Sequence, residues 1–146
     1  MSMDRKLRDH VWLRAGSRCE YCQLPQEFAE PKHEVDHVIA EKHSGQTSLE
    51  NLALACFHCN NHKGPNIAGI DPATNALSRL FHPRLDTWNE HFFWNGPILV
   101  GKTEVGRTTI VVLEVNVRHR IIHRRALIEE DVFPPIVGHT DNGTQT

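Results

Sequence analysis

Apolar and polar positions divide the chain into short elements separated by turn-rich stretches. In residues 4–15, Leu7, Val11, Trp12 and Ala15 recur at helical spacing, and Gly16 supplies the stop. The polar side of this predicted helix carries Arg5, Arg8 and Arg14, with Arg18 just beyond. Residues 19–22 read as a knuckle turn, and residues 23–33, with Pro25 and Pro31, as a loop. Residues 34–40 alternate and are rich in Val and Ile, which predicts a strand. A polar loop around Gly45 leads to the apolar residues 49–55, a short helical turn and a partner strand. Residues 56–63 are predicted as a helix that Gly64-Pro65 ends.

Beyond that point the pattern changes. Residues 66–75 are turn-rich, and residues 77–94 hold an aromatic centre of Phe81, Trp88, Phe92, Phe93 and Trp94, expected mainly as packing residues. Residues 98–102 read as a strand. Residues 103–117 fit two templates: the run Thr-Thr-Ile-Val-Val-Leu-Glu-Val has strand propensity, while Val105, Thr109, Val112 and Asn116 fit one face of a helix begun by Thr103. Residues 117–130 are helical and end before Pro134-Pro135, and residues 139–146, with no apolar content, are expected to be a disordered tail. The resulting class is α+β.

With 146 residues, 39% of them apolar, the chain suits one domain or a small metal module with an extension, divided at 1–66, 67–138 and 139–146. The first 64 residues are poor in long apolar runs and call for a staple. A formal net charge of −2 argues against a protein that coats DNA, though an enzyme needs only a local basic track. The amino terminus lacks the apolar run of a secretory signal, and no segment is long enough to span a bilayer. The expected compartment is the reducing cytosol, where paired thiols bind metal rather than oxidise.

The four cysteines form two close pairs, Cys19/Cys22 and Cys56/Cys59, separated by 33 residues. Two sulfurs from each tight turn satisfy tetrahedral Zn²⁺, and four thiolates leave no open coordination position. The expectation is a structural zinc clip without chemistry of its own, which would supply much of the module's folding free energy.

Between and just after these pairs lie Asp36-His37, Asn51 and Asn60. The runs His-Glu-Val-Asp-His-Val-Ile-Ala (33–40), Glu-Asn-Leu-Ala-Leu-Ala-Cys (50–56) and Cys-Asn-Asn-His-Lys-Gly (59–64), in this order, resemble the HNH endonucleases. The stretch from Asn66 to Trp94, with Leu-Phe-His-Pro-Arg and Trp-x-x-His-Phe, is similar to an extension found in a bacterial subgroup. The resemblance implies a ββα-metal (His-Me finger) core with the zinc clip, an N-terminal helix and a mixed or helical C-terminal extension. It further implies His37 as general base, Asp36 and Asn60 as ligands of a catalytic divalent ion (Mg²⁺ or another such as Mn²⁺), and Asn51 as the residue that bridges the loop and orients His37.

Phosphodiester hydrolysis supports these roles. It needs a base that is neutral near pH 7 and a hard cation with open positions. Lys63 and the amino end of the 56–63 helix are candidate phosphate contacts, as is His62, and His91 is a candidate substrate or supporting residue. The run 118–125, with Arg118, Arg120, Arg124 and Arg125 and no acid, is read as a phosphate track.

Two features depart from the family pattern. Gly64 stands where some members have a further His ligand, and strict strand alternation would send Asp36 and His37 to opposite faces. The expected activity is cleavage of DNA, with other nucleic acids open as substrates, by a monomer or homodimer away from membranes. The competing readings are a zinc-stabilised nucleic-acid-binding module without cleavage, and a zinc-clipped adaptor.

Overall fold

The computed structural model describes residues 3–135, so the expected tail at 139–146 lies outside the described residues. Helix α1 (Arg5–Ala15) starts at Asp4, whose side chain accepts from the Lys6 amide, and ends at Gly16 in the left-handed conformation. The apolar stripe of α1 covers the first hairpin, and Val11, Leu52 and Leu54 are buried together with Leu7, Trp12 and Ala15 around them.

That hairpin pairs β1 (Glu34–His37) with β2 (Leu52–Ala55) antiparallel, with Asp36 opposite Ala53 and His37 opposite Leu52. All four residues of β2 are buried, because α1 covers one face and the cysteine cluster sits against the other. Helix α2 (Phe57–Lys63) follows directly, with Cys56 as its N-cap. β1, β2 and α2 together make the ββα unit.

The chain then forms two more hairpins. β3 (Ala68–Ile70) pairs with β4 (Leu77–Arg79), and β5 (Phe92–Asn95) pairs with β6 (Ile98–Gly101), both antiparallel, with helix α3 (Trp88–His91) leading into β5. Residues 103–117 resolve in favour of helix at their start. Helix α4 (Glu104–Val112) begins at Thr103, whose hydroxyl accepts from the Gly106 amide at 3.0 Å, and a turn follows it. The β-branched run prevails as a helix because α4 packs against β3, β4 and β6, burying Thr108 and Thr109. Asp71, inaccessible to solvent, receives a two-pronged bond from Arg107 at 2.9 and 2.8 Å, which ties the β3–β4 turn to α4.

Helix α5 (Arg118–Glu129) closes the fold. Its buried positions are Arg120, Arg124 and Leu127. One cluster of buried residues runs from Cys19, Tyr21 and Cys22 through Phe81, Phe92, Leu99, Leu113 and Leu127 to Phe133. Trp88 and Trp94 pack against it, whereas Phe93 is exposed. No helix among the described residues is long and apolar enough to cross a membrane.

Candidate active site

β1 carries the first half of the site. Glu34 and Asp36, two residues apart, share one face of the strand. Asn60 on α2 donates from Nδ2 to Glu34 Oε1 at 2.8 Å, so this face is the one that α2 approaches. His37 is the last residue of β1, and immediately after it Val38 donates from its amide to Asn51 O at 2.8 Å as the chain turns away. Asp36, His37 and Asn60 consequently line one open cleft of about 430 Å³, together with Ala40, Glu41, Asn61, Gly64 and Pro65. Asp36 and His37 thus line one cleft although they are neighbours on the strand, with His37 the last residue of β1 before the bend at 38–39.

A compact loop supports His37. Its Nε2 lies 2.8 Å from Thr47 Oγ1, and that hydroxyl donates to Glu41 Oε2 at 3.4 Å. A hydroxyl has one proton, so with that proton directed at Glu41 the oxygen accepts from His37 Nε2–H. Nδ1 then keeps its lone pair.

Buried Asn51 clamps the loop. Its Oδ1 accepts from the Ile39 amide, and its Nδ2 donates to Ile39 O and Gln46 O, all at 2.9 Å. Gly45 completes the turn, since a Cβ there would run into the Ile39 carbonyl and press on the Asn51 amide. Asn51 therefore acts on the loop that holds His37 rather than within the cleft.

Several predicted contacts lie elsewhere. Lys63 is only 2% exposed and donates from Nζ to Val38 O at 2.7 Å. Burial lowers its pKa, and the charge of Asp36 works in the opposite direction. The expected phosphate contact by Lys63 is corrected: its face of α2 is turned inward, and its ammonium pins the backbone next to His37.

His62 places Nδ1 3.4 Å from Glu114 Oε2, outside the cleft lining. His91 bonds through Nδ1 to Thr103 Oγ1 at 2.7 Å and meets Phe81 edge-on at 5.9 Å, so it serves the packing of the extension.

The basic run on α5 also divides. Arg124, 3% exposed, donates from Nε to Pro97 O at 2.8 Å and from Nη2 to Val115 O at 3.0 Å, and it sits over the Trp94 ring. It is committed to the fold and cannot contact a phosphate. Arg118 and Arg125 are exposed and line a separate shallow pocket with Asn116, Ile121 and Ile122.

The four cysteines meet as one buried group whose sulfurs all lie within 4.8 Å of one another. Cys22 Sγ and Cys56 Sγ are 3.7 Å apart, far beyond a disulfide bond. Zn–S bonds of about 2.3 Å in a tetrahedron place the sulfurs roughly 3.8 Å apart, so the donor set and its spacing fit zinc. Each pair is shaped by an amide donating to the preceding sulfur at 3.4 Å, Cys22 to Cys19 and Cys59 to Cys56.

The expected phosphate track also included Arg120, and this is corrected: Arg120 is buried, donates from Nη2 to Cys59 Sγ at 3.1 Å and approaches Cys56 Sγ at 3.8 Å. Burial alone would lower the Arg120 pKa, but the negative charge of Cys59, Cys22 and Cys56 outweighs it and holds the guanidinium charged. Positions 120, 124 and 127 are spaced as the inward stripe of a helix, a signal that its charged members concealed.

Residues 19–66 match the family model described as HNH endonuclease. Over 116 residues the chain is 28% identical to the Septu protein PtuB of Bacillus thuringiensis, a match covering 78% of this chain and 42% of that protein. The chain thus spans less than half the length of that curated relative. No solved structure matches the chain significantly.

Proposed function

We propose, from the match of residues 19–66 to the HNH endonuclease model, that the chain hydrolyses DNA phosphodiester bonds with a divalent ion, Mg²⁺ or Mn²⁺, bound in the cleft. The single observation that carries this reading is the convergence of Asp36, His37 and Asn60 on one open cleft. An ionised carboxylate and an amide oxygen are hard donors suited to such an ion, and two protein ligands leave positions for phosphate oxygen and water. The bound ion would supply charge neutralisation for the phosphate during attack.

His37 is the base in this reading. Thr47 engages Nε2, and Nδ1 takes the proton from the attacking water. The water oxygen bonds to phosphorus, and the bond to the leaving sugar oxygen breaks. Asn51, Thr47 and Lys63 hold the loop and strand end from which His37 projects. The cysteine cluster, with zinc bound, keeps α2 and β2 in register and takes no part in the chemistry. Exposed Arg125 and Arg118 are the members of the α5 run available to DNA phosphates.

A supercoiled-plasmid nicking assay tests this. Metal-dependent cutting by the wild type is expected, with loss of it in a His37→Ala variant that keeps its zinc and its melting temperature. Equal cutting by His37→Ala would overturn the assignment. DNA binding without cutting under Mg²⁺ and Mn²⁺ would replace it with a non-cleaving, zinc-stabilised binding module.

A further inference from the structure

Asn60 is a poor cation ligand unless something orients it. Its amide has two ends of nearly equal size, and only the oxygen can bind a cation; the –NH₂ end repels one. A half-turn about the last side-chain bond exchanges the two ends, so an unrestrained amide would present the wrong atom for part of the time. Glu34 removes that freedom. An ionised carboxylate only accepts hydrogen bonds, so the atom 2.8 Å from Glu34 Oε1 is the –NH₂ group. Asn60 lines the cleft with Asp36 and His37, whereas Glu34 does not. Drawing the –NH₂ end towards Glu34 turns Oδ1 towards the cleft.

We infer that Glu34 is a positioning residue for the cation site, one that fixes the Asn60 amide so that Oδ1 faces the divalent ion beside Asp36. The inference rests on the reading of Asp36 and Asn60 as cation ligands. Strand geometry supports it. Residues two apart on one face of a strand are separated by roughly 6.5–7 Å. Glu34 is close enough to bond Asn60, which sits over that face, yet one step too far along β1 to line the cleft with Asp36. Glu34 is exposed and sits opposite Ala55 in the β1–β2 pair, which backbone pairing holds, so replacing its side chain is expected to leave the fold intact. Hydrogen-bond partners of metal ligands commonly change metal affinity by roughly ten- to a hundredfold when removed.

The test is direct Mn²⁺ binding to the folded, zinc-loaded protein, followed by the electron paramagnetic resonance signal of free Mn²⁺. Asp36→Ala serves as the control for the site itself, and Glu34→Ala and Glu34→Gln test the inference. The Gln side chain keeps an acceptor oxygen for Asn60 and removes only an exposed, salt-screened charge.

The expected result is that Asp36→Ala abolishes binding, Glu34→Ala weakens it at least tenfold, and Glu34→Gln stays within about threefold of wild type. In the nicking assay, Glu34→Ala should raise the Mn²⁺ concentration for half-maximal rate, with the rate at saturating Mn²⁺ retained. If Glu34→Gln weakened binding as much as Glu34→Ala, Glu34 would be a direct ligand acting through its charge, and the positioning role would be wrong. Wild-type affinity in Glu34→Ala would also overturn it. If Asp36→Ala left Mn²⁺ binding unchanged, the cation site itself would be misplaced, and the active-site reading would fall together with this inference.

Discussion

Replacing Arg120 by Met should unseat the cysteine cluster from the rest of the fold. Arg120 Nη1 donates to Leu113 O at 2.9 Å and Glu114 O at 3.1 Å, while Nη2 reaches Cys59 Sγ at 3.1 Å. The Met side chain fills similar space but leaves two carbonyls and the Cys59 sulfur without their charged donor. Breaking a buried, hydrogen-bonded charge pair from one side costs about 3–5 kcal/mol. Unfolding entropy of about 2.1 cal/mol/K per residue amounts to roughly 0.3 kcal/mol/K for a chain of this length. The melting temperature should therefore fall by about 10–16 °C.

Zinc should also leave faster, which a chromophoric chelator measures under native conditions. Arg120→Lys, which keeps the charge but loses the fork that serves both carbonyls and sulfurs at once, should fall between wild type and Met. A Met variant that melts within about 2 °C of wild type and releases zinc at the wild-type rate would refute the reasoning.

Two further predictions concern single contacts. Thr47→Val, which keeps the shape and removes the hydroxyl, should lower the nicking rate roughly ten- to a hundredfold with the melting temperature nearly unchanged, and Thr47→Ser should restore it; equal rates in Val and wild type would remove Thr47 from the His37 arrangement. Arg125→Glu should leave folding intact and flatten the dependence of DNA affinity on salt by about one phosphate contact. Arg124→Glu should instead lower the melting temperature sharply, so a fully folded Arg124→Glu variant with only weakened DNA affinity would contradict the assignment of its side chain to the fold.

The ββα unit and the cysteine cluster were legible in the sequence for a simple reason. Close cysteine pairs, an alternating Glu-Val-Asp-His and a helix stopped by Gly64-Pro65 are local patterns, and each constrains its own few residues. The same locality explains what was missed. Asp36 and His37 looked incompatible because strict alternation sends neighbours to opposite faces, and nothing local announced that the strand would end at His37. Thr47, Glu34 and Arg120 gain their importance from partners 10, 26 and 61 residues away, which no periodicity displays.

The basic run at 118–125 misled through charge. Cations are normally solvated, yet here Arg120 and Arg124 occupy the inward stripe of α5 because the cysteine sulfurs and several carbonyls await them. Lys63 followed the same logic at the end of α2, where a carbonyl in the turn after β1 accepts its ammonium. Residues 103–117 were undecided because β-branched side chains satisfy either template until tertiary packing selects one.

Cys59 and Asn60 are consecutive residues of α2, and one belongs to the cysteine cluster while the other opens on the cleft. The consequence is an order of events. Until the four sulfurs have captured an ion, the cysteine end of α2 is unanchored, and only the Lys63–Val38 and Asn60–Glu34 bonds hold Asn60 near Asp36. On the proposed reading, acquisition of zinc therefore comes before binding of the exchangeable ion, because it completes the anchoring of the helix that carries one of that ion's ligands.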